Sequence, residues 1–72
     1  MTKDDLKKRI GKKIVELRLQ KGWNQAKLAK ESGKDRQAIE KIENGKVNPT
    51  IYTLYELSLA LKVPLDYLVK IH

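Results

Sequence analysis

The chain has 72 residues and a formal net charge of +7, contains no cysteine, and carries its one histidine at position 72. A chain this short accommodates one small domain, residues 1–72, and the lack of cysteine excludes disulfides and thiolate metal sites. No apolar run reaches the roughly 20 residues that span a bilayer, and the first residues lack the apolar core of a signal peptide, so we expect a cytoplasmic protein without membrane contact.

The positive charge is confined to the first two-thirds of the chain. Residues 1–46 hold 14 of the 16 Lys and Arg and 7 of the 9 Asp and Glu, whereas residues 47–72 hold two of each and are neutral. This uneven distribution indicates one surface that faces a polyanion and a separate surface with another role.

The first helix is predicted over residues 4–21 by an apolar stripe with helical spacing. The stripe consists of Leu6, Ile10, Ile14 and Leu17. Thr2 or Asp4 can cap the start of this helix, and Gly22 can end it in a left-handed conformation. The helix also carries a basic run, which is either a solvated face or a contact with flanking phosphates. The run comprises Lys7, Lys8, Arg9, Lys12 and Lys13.

Two short helices joined by a tight turn are predicted over about residues 25–45. Asn24 can cap the first helix, Gly33 ends it, and Asp35 can cap the second, which stops at an Asn-Gly pair. Two helices that cross closely at a short turn need small residues, and Ala29 and Gly33 occupy those places. From this spacing alone, a generic helical hairpin stays an alternative to a DNA-reading helix-turn-helix.

The neutral part of the chain predicts two more helices. Thr50 can cap a fourth helix that ends at Leu61, and Pro64 suits the first turn of a short fifth helix. The core-facing side of the fourth helix is predicted to hold Ile51, Leu54, Leu57 and Leu61. A second side is a candidate dimer interface, with ordinary core packing as the alternative. Its members are Tyr52, Tyr55 and Leu59, together with Val69 and Ile71.

A series of motifs runs in order from Ile10 to Leu68. The motifs are Ile14…Leu17-Arg18, Gly22-Trp23-Asn24-Gln25, Leu28-Ala29…Gly33, Ile39…Ile42-Glu43-Asn44-Gly45-Lys46, Asn48-Pro49-Thr50, Leu54…Leu57…Leu61 and Leu65-Asp66-Tyr67-Leu68. Together they resemble the helix-turn-helix domain of the phage repressor and Cro (XRE) family. The resemblance implies an all-α, compact five-helix repressor-like domain, with the helix-turn-helix formed by helices 2 and 3 and with dimeric DNA binding that controls transcription.

The resemblance also implies roles for individual residues. Gln25 is expected to bind a phosphate, which suits a side-chain amide at a helix N-terminus. The other positions matched to phosphate contacts are Asn24, Asn44 and Lys46, with capping alone as the alternative for the two asparagines. Arg18 and Glu43 are expected to form a structural ion pair between helices 1 and 3. The sequence departs from the family pattern at Lys34, where an apolar residue is frequent, and at Asp35, which replaces a Ser or Thr cap.

Side chains on the third helix have the chemistry of base readers. Arg36 can fork onto guanine O6 and N7, Gln37 can pair with adenine, and Lys41 can reach guanine or a phosphate. Ala38 is small enough to meet a thymine methyl, whereas Glu40 either accepts from a cytosine amine or repels wrong registers. The alternative is an ordinary solvated helix face.

These patterns predict a sequence-specific regulator of transcription that binds double-stranded DNA. We expect a nucleoid-associated repressor that acts as a homodimer on a near-palindromic operator. The alternative is an antitoxin-like subunit, or another interaction subunit with a separate protein partner, that also binds DNA. The sequence lacks a persuasive nucleophile, base or metal cluster, so we expect no enzyme activity, no cofactor and no metal site.

Overall fold

The computed structural model describes residues 1–70, which form five α-helices and no strand. In chain order the helices are α1 (Lys3–Gln20), α2 (Gln25–Ser32), α3 (Arg36–Glu43), α4 (Ile51–Leu61) and α5 (Leu65–Val69). The all-α fold and each predicted helix are therefore confirmed. Within residues 1–70, no helix is both long and apolar enough to cross a membrane.

Local sequence signals fix where the helices begin. Thr2 and Asp5 form a capping box at α1, in which each side chain accepts from the other residue's backbone N–H. Side-chain oxygens also cap the next three helices, from Asn24, Asp35 and Thr50. Pro64 was predicted within the first turn of α5 but precedes it as the cap residue, because its ψ of 151° is extended.

A single hydrophobic core receives side chains from all five helices. The buried apolar residues are Ile10, Ile14, Leu17, Leu28, Ala29, Ile39, Ile42, Leu54, Leu57, Leu61 and Leu68. Trp23 packs against this core from the loop between α1 and α2. α3 contributes Ile39 and Ile42 to this core, and the opposite side of that short helix is exposed.

α1 crosses the last turn of α3 at very short range. A Cβ built on Gly11 would lie 2.5 Å from the backbone oxygen of Glu43 and 2.6 Å from that of Ile42. Real Cβ atoms essentially never come so close to backbone. Glycine at this position therefore lets α1 serve as the support that fixes the C-terminal end of α3.

The prediction that Ile51 faces the core is wrong. Its side chain is 69% exposed, whereas Leu54 and Leu57 on the same helix are buried. Ile51 opens the first turn of α4, where it lines a shallow surface groove with Leu6 and Pro49 instead of entering the core. Helical periodicity gives the direction of a side chain but not how far the neighbouring helices extend to cover it.

Candidate nucleic-acid interface

The outward side of α3 carries the side chains predicted to read bases. Ile39 and Ile42 are buried on the inner side of the helix. Arg36, Gln37 and Lys41 are exposed, and Ala38 and Glu40 are partly exposed. The helix thus presents two cations and an amide to solvent from a rigid element.

A concave surface runs from α3 to the start of α4. Gln37 and Lys41 form one wall. The facing residues are Asn48, Pro49, Thr50 and Thr53. The sequence predicts a helix cap at Thr50 and no role in the site for these four residues. The signal was present in the Asn-Pro-Thr motif, but its position opposite α3 depends on tertiary packing.

A buried ion pair supports the interface from behind. Arg18 Nε lies 2.6 Å from Glu43 Oε2 and a second guanidinium nitrogen lies 3.1 Å from Oε1, which makes a two-pronged contact. The remaining guanidinium nitrogen donates to the backbone oxygen of Trp23 at 2.8 Å. The two charged side chains are 11% and 3% exposed. The pair joins α1 to the end of α3 and also holds the loop that leads into α2.

Gln25 belongs to the same network. Its amide nitrogen donates to Glu43 Oε1 at 2.9 Å, and the residue is half-buried at the first position of α2. The neighbouring Asn24 is exposed, and its side-chain oxygen accepts from the backbone N–H of Lys27 at 2.8 Å. The sequence predicted a phosphate contact for Gln25, and the structure adds that Glu43 fixes the orientation of its side chain. An oriented amide at a helix N-terminus is suited to holding an anion.

Glu40, Asn44 and Lys46 form a polar cluster at the C-terminal end of α3. Glu40 Oε1 accepts from Lys46 Nζ at 2.8 Å and from Asn44 Nδ2 at 3.0 Å. The hydrogen bond from Lys46 is the largest cause of a lowered pKa of the Glu40 carboxyl. Glu40 thus neutralises the cation that the sequence assigned to phosphate binding. Contact of Glu40 with a base would either use its second carboxylate oxygen or require that Oε1 release Lys46 and Asn44.

The two departures from the family pattern each have a structural partner. Lys34 Nζ lies 2.6 Å from Glu56 Oε1, and both side chains are about a quarter exposed, so this pair ties the turn before α3 to α4. Asp35 Oδ1 accepts from the backbone N–H of Ala38 at 2.7 Å. The Asp35 carboxylate therefore serves as the cap of α3, as the sequence predicted.

The predicted dimer residues on α4 lie on its outer side. Tyr52, Tyr55 and Leu59 are 69%, 47% and 59% exposed, and the two tyrosine rings are 6.4 Å apart. Val69 instead packs against the core and is half-buried. Ile71 falls outside the described residues. Among the predicted dimer residues that the structure describes, the exposed ones therefore all lie on α4.

Comparison with known proteins finds one matching family, described as helix-turn-helix (HTH_3), over residues 14–68. The chain is 41% identical over 59 residues to the HTH-type transcriptional regulator y4dJ of Sinorhizobium fredii (strain NBRC 101917 / NGR234), covering 82% of this chain and 77% of that protein. It is 38% identical over 61 residues to the SPbeta prophage-derived HTH-type transcriptional regulator YonR of Bacillus subtilis (strain 168), covering 85% and 56%. The crystal structure of the restriction-modification controller protein C.AhdI from Aeromonas hydrophila superposes with a TM-score of 0.84 at 32% identity, covering 86% and 94%.

Proposed function

The chain belongs to the helix-turn-helix family HTH_3, the XRE family, and from this premise we propose that it regulates transcription by placing α3 in the major groove of DNA. The observation that carries the proposal is the outward side of α3, where Arg36, Gln37 and Lys41 project from a helix buried on its other side. An arginine fork suits guanine and a glutamine amide suits adenine, each contact being worth roughly 1–3 kcal/mol of discrimination.

Phosphate contacts flank α3 on both sides in this proposal. Asn24 and Gln25 supply the N-terminal end of α2, and Asn44 and Lys46 supply the end of α3. Thr50 and Asn48 add the start of α4, which opens onto the same concave surface as Gln37. Contacts of this kind fix the register of the protein on the duplex, while base contacts from α3 carry the sequence preference.

We further propose that the protein represses transcription as a homodimer bound to a near-palindromic operator. Its support is the exposed apolar side of α4, formed by Tyr52, Tyr55 and Leu59, which a second copy of the chain would cover. Two-fold pairing would place the two copies of α3 about 34 Å apart, one turn of the duplex. A protein that works in this way acts in the cytoplasm, on nucleoid DNA.

The decisive experiment selects bound duplexes from a random pool. The wild-type protein should enrich two inverted half-sites centred about one helical turn apart. Arg36→Ala and Gln37→Ala should each relax the preference at particular base pairs, at a cost of roughly 1–3 kcal/mol on the preferred sequence. Gln25→Ala should weaken all duplexes alike. Enrichment of no motif, or equal losses on all sequences for Arg36→Ala and Gln37→Ala, would contradict base reading by α3.

A further inference from the structure

The N-terminal half of α1 precedes the segment that matches the family. That match starts at residue 14. Residues 3–13 contain six Lys or Arg and two Asp, a net charge of +4 out of the total of +7. Most of the excess positive charge of the chain therefore lies outside the part that the family accounts for.

Two of these cations interact with residues on α1 and α5. Lys7 pairs with Asp4 at 3.2 Å, and Lys13 lies 4.7 Å from the centre of the Tyr67 ring. Lys8 and Lys12 are exposed one helical turn apart, and neither takes part in an ion pair within residues 1–70. Two lysines spaced by one turn on the same side of a helix can follow a run of phosphates.

A shallow cleft on this side of α1 contains Lys8, Arg9 and Lys12 with one carboxylate, Asp5. Asp5 accepts from the backbone N–H of Thr2, and this hydrogen bond is the largest cause of its lowered pKa. Lys8 and Arg9 lower that pKa further by their positive charge. The carboxylate is thus already used as part of the helix cap, and the cleft keeps an excess of positive charge.

The lysine pair lies beside the end of the reading helix. A Cβ built on Gly45 would lie 2.9 Å from Lys8 Cγ and 3.2 Å from its Cα, so α1 touches the chain immediately after α3. Lys46 follows directly and is itself a proposed phosphate contact. Lys8 is therefore adjacent to the C-terminal end of α3, where Lys46 pairs with Glu40 at 2.8 Å.

We propose that Lys8 and Lys12 form a second phosphate-binding surface, which grips the DNA backbone next to the segment that α3 reads. The ligand is the phosphodiester backbone of duplex DNA, recognised by charge and not by base sequence. This inference rests on the proposed DNA binding by α3 and extends it to the part of α1 that the family does not cover. A purely structural role would use Lys8 only to complement the negative C-terminal end of α3.

The test compares two double variants that lower the net charge equally. Lys8→Gln/Lys12→Gln removes the proposed contacts, and Lys62→Gln/Lys70→Gln removes two exposed lysines from the neutral part of the chain. Binding to one duplex is measured at several salt concentrations. Each lost phosphate contact should reduce the slope of log K against log salt by about 0.9, so the first variant should lose about 1.8 for each bound copy. The control variant should keep the wild-type slope.

A second measurement locates the contact on the DNA. Trimming base pairs that flank the selected site should weaken the wild type about tenfold or more for each copy at low salt, and should leave Lys8→Gln/Lys12→Gln almost unaffected. The single variant Lys12→Gln leaves the contact between Lys8 and Gly45 in place. It should reduce the slope by about 0.9 even if Lys8 also stabilises the fold.

The outcomes separate this inference from the function on which it rests. Unchanged slopes for Lys8→Gln/Lys12→Gln and Lys12→Gln, with wild-type base preference intact, would overturn the second surface and leave α3 as the reader. A lower melting temperature with an unchanged slope would assign Lys8 to folding alone and would also overturn it. Absence of any motif from the selection would instead remove the proposed function itself.

Discussion

Arg18 and Glu43 are charged residues withdrawn from water beneath the proposed interface. Because Glu43 is 3% exposed, we predict that Arg18→Met leaves a stranded carboxylate and lowers the free energy of unfolding by about 3–5 kcal/mol. A chain of this size has roughly 4–11 kcal/mol in total, so the variant should be close to unfolded at ambient temperature. Urea unfolding followed by circular dichroism measures the loss.

The double variant Arg18→Met/Glu43→Leu is the control for that prediction. If the loss comes from the stranded charge, removing both charges should restore part of the stability, because a buried apolar pair has no desolvation cost to offset. The prediction is contradicted if Arg18→Met alone loses less than about 1 kcal/mol, which is the usual value of an exposed pair.

Glu40 and Lys46 allow a prediction about pH. The hydrogen bond from Lys46 lowers the pKa of Glu40, so the carboxyl stays ionised below the usual glutamate range. Its contribution to stability is therefore present above the pKa of the unfolded chain and is lost as the pH falls through the lower folded value. We expect the Glu40 carboxyl carbon resonance to titrate below 4.5, the reference value, and Lys46→Met to raise that midpoint. Lys62→Met should leave it unchanged, and an unshifted midpoint in Lys46→Met would refute the assignment.

At the scale of the helices, the crossing of α1 and α3 depends on Gly11. Gly11→Ala would gain roughly 0.5–1 kcal/mol in helix propensity. Its Cβ would however meet backbone oxygen at 2.5 Å, and such overpacking costs about 1–3 kcal/mol. We therefore predict net destabilisation, measured by urea unfolding. The neighbouring Lys12→Ala, on the exposed side of α1, is the control, and a Gly11→Ala protein at least as stable as wild type would show that the helices can move apart.

The helices were predictable because their signals are local. Asp35 accepts a hydrogen bond from the backbone N–H of Ala38, three positions later. Gly33 has a left-handed φ of +71°, which glycine adopts readily because it has no Cβ. The role of Gly11 was not predictable from the sequence, because a glycine inside a helix does not show which other element packs against it. The pairing of Lys34 with Glu56 was hidden for the same reason.

Some features of the candidate site were likewise predictable from local sequence, whereas others depend on the tertiary fold. The exposure of Arg36 and Gln37 follows from the positions of two buried isoleucines on the same helix, so sequence spacing was sufficient. The hydrogen bond from Gln25 to Glu43 joins residues 18 positions apart and required the fold. The place of Thr53 in the concave surface likewise follows from how α4 packs, which periodicity does not specify.

For the whole molecule, the net positive charge and the exposed apolar side of α4 lie in different parts of the chain. The net positive charge is confined to residues 1–46, whereas α4 in the neutral part exposes two tyrosines and a leucine. A positive surface repels its own copy but attracts DNA, and a neutral apolar surface can pair with itself. In the proposed dimer, pairing through α4 would leave α3 of both copies available to the duplex.

Leu59 and Leu19 offer a matched test of that separation, because they are 59% and 60% exposed on different helices. If α4 forms the dimer interface, Leu59→Lys should raise the dimer dissociation constant by about tenfold or more, since it removes a buried leucine from each copy and places like charges together. Leu19→Lys adds the same charge and should leave the dissociation constant unchanged. Sedimentation equilibrium without DNA measures both. A wild-type protein that stays monomeric, or equal effects of the two substitutions, would exclude α4 as the interface.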